Sequence, residues 1–349
     1  MRYNTDGTLD TTFGDAGTVT TDFTGNKDVA FGVAIQADGK IVAAGAAGLY
    51  NAFALARYNT DGTLDPTFGD GGKVMMNFAP TGSFARNVAV QDDGKIVVAG
   101  PSSGAGAADF ALARFNADGT LDTSFGGDGT VTTAFKNRDD PWDMMIQPDG
   151  KVLAAGYGAG SFALARYDTD GTLDPAFGTD GQVADIGGAA FGVAIQPDGK
   201  IVVTGTSGSK FALARYKPDG TLDRSFGERG LVTSATIQRE AGARIAILPN
   251  GEIVTVAASP GFSVVRFLRD GTPDTSFGTN GISTIDFGSG FDASLASVVT
   301  VGADDRIYAA GSAARSKTDS DFALVRYLST ARPARATNSS STPTFVLYP

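Results

Sequence analysis

The chain has 349 residues and a formal net charge of −10, and it contains neither cysteine nor histidine. This length is sufficient for one large domain, and the acidic balance disfavours nucleic acid as a partner. The two missing residue types exclude disulfides, thiol catalysis, thiolate or histidine-ligated metal sites and a Ser-His-Asp triad.

Three phrases recur along the chain. The first, D-G-T-L-D-x-x-F-G or a near copy, starts at Asp6, Asp61, Asp118, Asp170, Asp219 and Asp270. The second, Q-x-D-G-K-I-V, starts at Gln36, Gln91, Gln147 and Gln196, with weaker copies from Leu248 and Gly302. The third, F-A-L-A-R-Y or a variant, starts at Phe53, Phe110, Phe162, Phe211, Phe262 and Phe322. A period of roughly fifty residues predicts a closed array of β-sheets rather than a solenoid.

Each repeat consists of four short apolar runs separated by Gly and Asp. In the second repeat the predicted strands are Lys73–Phe78, Ala85–Gln91, Lys95–Gly100 and Asp109–Asn116. All four have strand length, are rich in Val, Ile, Phe and Ala, and are bounded by turn residues. Six such repeats predict an all-β fold, a six-bladed propeller of four-stranded antiparallel blades.

The two chain ends are predicted to complete the sixth blade together. The N-terminal part supplies an outer strand, Thr18–Phe23, and the C-terminal part supplies three strands near Ala296–Val301, Arg306–Ser312 and Asp321–Leu328. Such a closure removes the exposed sheet edges that favour aggregation.

The repeats predict a single propeller domain over residues 1–328. Residues 329–349 have the composition of a linker. Their last stretch, Thr344–Tyr348, either docks as a short strand or is disordered. No apolar run approaches transmembrane length, and we expect a monomer.

The phrases resemble the delta-60 repeat, a bacterial β-propeller repeat with the pattern G-V-A-I-Q-x-D-G-K-I-V-V-A-G followed by F-A-L-A-R-Y-N-x-D-G-x-L-D-x-x-F-G. The resemblance covers residues 2–328 and is weakest at Leu248–Glu252 and Gly302–Arg306. It implies a propeller in a bacterial, often exported protein, so we expect a secreted or cell-surface location, although no signal peptide is visible. The family has no agreed activity, and the resemblance implies no catalytic residue.

The recurring polar residues are interpreted as structural. The third phrase ends in an arginine that we expect to clamp a neighbouring Asp through two oxygens; these are Arg57, Arg114, Arg166, Arg215, Arg266 and Arg326. The phenylalanine of each F-G is expected in the core. Asn59, Asp61 and Asp65 have the alternate oxygen spacing of a calcium loop but lack the distal Glu of an EF-hand. Hydrogen-bonded Asx turns are the preferred interpretation, with weak calcium binding as the alternative and no other cofactor expected.

Specificity is expected where the repeats differ. The connections between the second and third strands of the blades vary in length and chemistry, and variable loops on a rigid frame commonly bind ligands. We call the surface that they form the variable-loop face; its loops are Gly45–Ala52, Gly100–Asp109, Gly156–Ser161, Gly205–Lys210 and Gly311–Asp321.

One segment of that face, residues 136–145, contains the only tryptophan. Alignment on the glutamine of the second phrase puts Trp142 level with Phe31 and Arg86, and the next position holds Asn87, Asp143 and Arg244. An aromatic ring among such polar groups suits a sugar or another polar ligand. The candidate ligand-binding residues are therefore Trp142, Asp143, Arg86, Asn87, Arg244, Tyr157 and Tyr50. The alternative is that Trp142 fills space between blades.

Two functions remain open. The first is a non-catalytic binding or scaffold propeller for a glycan, peptide or protein partner. The second is a histidine-independent hydrolase or lyase, with Asp140, Asp143 or Glu240 as acid or base and Arg86 or Arg244 stabilising negative charge. No carboxylate pair has diagnostic spacing and the usual histidine base is missing, so binding is favoured.

Overall fold

The structure is a computed structural model that describes residues 1–48, 50–78, 82–103, 108–136, 138–235, 237, 244–257, 261–288, 293–314, 320–327 and 344–348. In these ranges the secondary structure consists of strands and turns, without helices. Accordingly, no helix in the described part of the chain is long and apolar enough to cross a membrane.

Six four-stranded antiparallel sheets are the blades of a six-bladed β-propeller, which confirms the predicted fold class. The chain divides into two compact units, Met1–Asp185 and Ile186–Pro349.

The first unit contains three sheets, whose strands follow one another in chain order. The first sheet comprises β1 (Val29–Ile35), β2 (Ile41–Ala47), β3 (Ala52–Tyr58) and β4 (Lys73–Met76). The second comprises β5 (Asn87–Val90), β6 (Ile96–Ser103), β7 (Ala108–Phe115) and β8 (Thr130–Thr133). The third comprises β9 (Asp140–Ile146), β10 (Val152–Gly158), β11 (Ser161–Tyr167) and β12 (Gln182–Gly187), which runs into the second unit.

The second unit contains the other three sheets. The fourth sheet comprises β13 (Ala189–Ile195), β14 (Ile201–Ser207), β15 (Lys210–Tyr216) and β16 (Leu231–Ser234). The fifth comprises β17 (Ile245–Ile247), β18 (Ile253–Ala257), β19 (Phe262–Phe267) and β20 (Ile282–Ile285). The sixth comprises β21 (Ala293–Val301), β22 (Ile307–Ala314), β23 (Ser320–Arg326) and β24 (Thr344–Tyr348).

The middle strands of a blade are buried on both of their faces, as the second sheet illustrates. Val98 and Ala111 pack in one core with Phe53 of the first sheet. Val97 and Phe110 face the other way and pack in a second core with Met144 of the third sheet. Because both faces are covered, the repeated F-A-L-A strand is a continuous apolar run instead of an alternating one.

The predicted closure of the sixth blade is wrong in one element. Its fourth strand is β24, which pairs with β23 so that Tyr348 lies opposite Phe322. Residues 18–23 were expected in that position and form no strand. The reason is local, because the Asp28 carboxylate accepts the Phe23 amide at 2.8 Å and the Asp22 carboxylate accepts the Gly25 amide at 2.7 Å. These bonds bend the chain and use a backbone donor that a sheet would need.

The aspartates of the D-G-T-L-D phrase accept hydrogen bonds within the turn that the phrase forms. Asp61 Oδ1 accepts the Thr63 amide at 2.9 Å and the Thr63 hydroxyl at 2.7 Å, and Asp65 Oδ1 binds Thr67 in the same way. These are the expected Asx turns. The described residues contain no group of three or more acidic side chains that could hold a metal ion. A calcium role for Asn59, Asp61 and Asp65 stays a prediction.

The second aspartate of the phrase is also the centre of a buried ion cluster. Asp65 Oδ2 accepts Arg57 Nε at 2.8 Å and Lys40 Nζ at 2.9 Å, and the Arg57 guanidinium lies 4.6 Å from the Phe68 ring centre. The arginine thus binds one carboxylate oxygen, not the predicted two, because Thr67 engages the other. Arg57 Nη1 also donates to the Ala117 carbonyl of the second sheet's turn, which ties two blades of the first unit together.

The same arginine–aspartate pair recurs in the other repeats. Its members are Arg2–Asp10, Arg114–Asp122, Arg166–Asp174, Arg215–Asp223 and Arg266–Asp274. Because the same arrangement recurs in successive repeats, we interpret these charged pairs as structural and not as a ligand site.

Candidate functional site

The first strand of several blades contains a β-bulge, which adds one residue to that strand relative to its partner. In β9, Pro141 lies opposite Gly156 and Asp143 opposite Ala155, so Trp142 is the extra residue. In β1, Ala30 and Gly32 lie opposite consecutive residues of β2, so Phe31 occupies the equivalent position. A bulge of this kind re-aims a side chain that a regular strand would hold in the pleat.

A glycine in the second strand makes room for each bulge. A Cβ added to Gly156 would lie 2.1 Å from the Asp140 carbonyl oxygen, and one added to Gly45 would lie 1.9 Å from the Val29 carbonyl oxygen. Real side chains cannot approach a backbone oxygen this closely. The glycine therefore fixes where Asp140 and Trp142 lie.

Arg86, which directly precedes β5 of the second sheet, contacts the bulged strand β9 of the third sheet. Its Nε and Nη2 donate to Asp140 Oδ1 and Oδ2 at 3.1 and 2.9 Å. The guanidinium carbon lies 3.9 Å from the centre of the Trp142 ring and 4.9 Å from that of Phe84. Arg86 therefore contacts two aromatic rings while a carboxylate neutralises its charge.

The Asp140 carboxyl is in an unusual environment for an acid. The residue is only 8% exposed. Burial raises the pKa of Asp140 above its usual range, although the Arg86 guanidinium opposes this shift. Burial and the Arg86 guanidinium therefore act on the pKa of the Asp140 carboxyl in opposite directions.

Asn87 and Asp143 form the second polar pair of the site. The Asn87 amide donates to Asp143 Oδ1 at 2.5 Å, and the same oxygen accepts the Met144 amide at 3.0 Å. The structure thus brings together Arg86, Trp142 and Asp140, and separately pairs Asn87 with Asp143. In both pairs the polar side chains already satisfy one another.

Three aromatic rings extend the site from Phe84 toward solvent. The Phe31 and Phe84 ring centres lie 5.5 Å apart, those of Tyr50 and Phe84 5.2 Å, and those of Phe31 and Tyr50 6.1 Å. Phe31 and Tyr50 are 40% and 36% exposed, whereas Phe84 is half-buried. We call Phe31, Tyr50, Phe84, Arg86 and Trp142 the aromatic–arginine ladder.

Two ladder residues were missed by the sequence analysis. Phe31 could have been proposed because it aligns with Trp142. The exposure of its side chain, however, follows from the bulge in β1, which the sequence does not show. Phe84 precedes β5 and aligns with Val29 and Asp140, neither of which is aromatic, so the repeats gave no signal for a ring at this position.

The remaining predicted residues are less closely connected to the ladder. Tyr157 is 36% exposed and lies opposite Asp140 in the β9–β10 register. Arg244 belongs to the second unit, where its carbonyl accepts the Thr255 hydroxyl at 2.9 Å. Glu240 lies outside the described residues.

Two cavities in the first unit lie away from the ladder. One, of about 250 Å³, is lined by residues that include Thr21, Asp28 and Tyr58. The other, of about 500 Å³, is lined by the D-G-K turns of the second and third blades, including Gln91 and Gln147. Neither cavity is lined by a ladder residue, so the ladder is distinct from both.

Six segments of the chain match the family model described as "domain of unknown function (DUF5122) beta-propeller". They are residues 1–13, 36–68, 91–125, 147–177, 196–226 and 249–277. The matched segments contain most copies of the recurring phrases, which supports a β-propeller repeat family. No curated protein matches the chain.

Solved structures with the same architecture are distant in sequence. A catalytically inactive histidine-to-alanine variant of virginiamycin B lyase from Staphylococcus aureus, with quinupristin, aligns over 94% of each chain with a TM-score of 0.53 and 12% identity. The selenomethionine-substituted lyase aligns over 91% of this chain and 83% of its own, with a TM-score of 0.54 and 12% identity. A Bacteroides caccae protein of unknown function covers 82% of this chain and 89% of its own, with a TM-score of 0.50 and 13% identity. At these identities the likeness shows the fold alone.

Proposed function

We propose that the protein is a non-catalytic binding propeller that recognises a glycan, peptide or protein partner through its variable-loop face. The observation that carries this proposal is the aromatic–arginine ladder, whose outer rings are exposed. When a ligand binds to exposed aromatic rings on a rigid protein, a large apolar area is buried and little side-chain entropy is lost, which favours binding.

The polar groups of the site support binding over catalysis. Arg86 is neutralised by Asp140, and Asp143 accepts Asn87 and the Met144 amide. A general base or an anion-stabilising arginine must instead reach the substrate. This chain also lacks histidine, whereas the virginiamycin B lyase of similar fold is catalytically inactive when one of its histidines is replaced by alanine.

A histidine-independent hydrolase or lyase remains the second candidate, and one observation favours it. The pKa of Asp140 is raised by burial, which is how enzymes keep a carboxylic acid protonated for proton donation. In that case Asp140 acts as the acid, with Asp143 or Glu240 as further acid or base candidates and Arg86 or Arg244 stabilising negative charge.

The finer family assignment and the location belong to the same proposal. We assign the repeats to the delta-60 type because the phrases reproduce its pattern over residues 2–328. With that assignment we propose a bacterial protein, secreted or at the cell surface, that acts as a monomer and without a cofactor.

A ligand screen combined with a substrate screen tests the proposal. Wild type and Trp142→Ala are applied to glycan and peptide arrays and to panels of hydrolase and lyase substrates. We expect a wild-type array signal that is lost in Trp142→Ala, with no turnover by either protein. Turnover that disappears in Asp140→Asn would support the enzyme instead.

A further inference from the structure

Tyr50 adopts a backbone conformation that is costly for a bulky residue. Its φ is +68°, in the left-handed region, where the neighbouring Gly48 also lies with a φ of +61°. In the third blade the corresponding β10–β11 hairpin uses Ala159 and Gly160 at its positive-φ positions. The β2–β3 loop therefore tolerates strain at a position that glycine would fill without cost.

The strained conformation places the Tyr50 ring beside Phe31 at the exposed end of the ladder. The two ring planes are inclined by only 27°, and both rings rest on Phe84. A Cβ added to Gly32 would lie 3.3 Å from the Asn87 Cα, so the backbone of β5 packs closely against the residue that follows Phe31. The result is a pair of partly exposed rings whose planes are inclined by 27°.

The charges around the rings disfavour an anionic ligand. The guanidinium of Arg86 is used by Asp140, and the chain carries a net charge of −10. The size of the pair disfavours a protein surface, because two partly exposed rings offer much less than the about 800 Å² per partner of a standard interface.

We infer that Tyr50 and Phe31 form a stacking subsite for one pyranose ring of a neutral saccharide. The inference rests on the proposed binding function and names its ligand class. A pyranose presents a face of C–H groups that packs on the negative face of an aromatic ring. Phe84, Arg86 and Trp142 act as positioning residues that hold the two rings in place.

The test compares Tyr50→Gly with Arg229→Gly. Arg229 is exposed in the F-G-E-R-G turn and has a φ of +57°, so its replacement relieves similar strain away from the ladder. Affinities for neutral hexose and N-acetylhexosamine oligomers, and for sialylated and sulfated glycans, are measured by calorimetry, with unfolding temperatures in parallel. We expect Tyr50→Gly and Phe31→Ala to bind neutral oligomers about tenfold more weakly, while Arg229→Gly binds normally. Tyr50→Gly should keep the wild-type unfolding temperature, because relief of strain offsets the lost ring contacts.

Three other outcomes would overturn the inference, and each can be distinguished from the others. Normal binding of neutral oligomers by Tyr50→Gly and Phe31→Ala rejects the subsite but leaves the binding function intact. Wild-type binding of anionic glycans or of peptides alone rejects the ligand class. An absence of binding to every probe rejects both the subsite and the proposed function.

Discussion

Arg86 and Asp140 are joined by two hydrogen bonds, Nε to Oδ1 at 3.1 Å and Nη2 to Oδ2 at 2.9 Å, which connect the second and third blades. The pair also places the guanidinium 3.9 Å from the centre of the Trp142 ring. An ion pair and an aromatic stack therefore share one arginine, and loss of that arginine should affect both stability and binding.

Arg86→Ala should destabilise the protein by about 2 kcal/mol at pH 7, because it leaves the buried Asp140 carboxylate without its partner. Burial already raises the pKa of Asp140, and the variant should raise it further. The destabilisation relative to wild type should shrink as the pH falls toward 4, since protonation then removes the buried charge. Urea unfolding of both proteins at pH 7 and pH 4 measures this. An equal loss at both pH values would contradict it.

Acid should destabilise the propeller because it protonates the repeated aspartates Asp65, Asp122 and Asp223. Burial alone would raise the pKa of these carboxyls, but the hydrogen bonds and cations around them outweigh burial and hold it well below the usual range. Each folded-state pKa is then lower than the unfolded value of about 3.9, so this stabilisation is present above that pH and is lost below it. We expect urea midpoints to fall steeply below about pH 4. A flat profile down to pH 2 would contradict the ion clusters.

The fifth blade offers a stabilising substitution. Where four repeats have a lysine, it has Glu252, whose Oε2 lies 3.7 Å from Arg266 Nε. Glu252→Lys should give Asp274 the second cation that Lys200 gives Asp223 at 3.0 Å. We expect a gain of about 0.5–1 kcal/mol in the free energy of unfolding, and a loss for the reverse change, Lys200→Glu. If both variants unfold like wild type, the lysine has no structural role.

Gly156→Ala should distort the site from the opposite strand. The new Cβ would meet the Asp140 carbonyl oxygen at 2.1 Å, so the bulge must shift and take Asp140 away from Arg86. We expect a loss of about 2 kcal/mol or more and a change in Trp142 fluorescence. Gly187→Ala is the matched control, since no atom lies within 4 Å of its added Cβ. Equal stability of the two variants would contradict the role of the glycine.

The blades were predictable because each strand is an apolar run between turn residues, as Ile96–Ser103 and Ala108–Phe115 show. The fourth strand of the sixth blade was not, because residues 18–23 and 344–348 both have strand-like sequences and only local hydrogen bonds, such as that from the Phe23 amide to Asp28, distinguish them. In the site, alignment indicated that Arg86 and Trp142 are level. It could not show that Asp140 neutralises Arg86, because side-chain pairing between blades depends on the bulge in β9.

We propose that the ladder binds a ligand without transforming it. The most direct measurement is a calorimetric titration of wild type with the strongest array ligand, followed by mass spectrometry of the ligand after prolonged incubation at pH 5 and pH 7. We predict saturable binding that Trp142→Ala weakens, and recovery of the ligand with unchanged mass. Conversion of the ligand by wild type, abolished in Asp140→Asn, would contradict the claim.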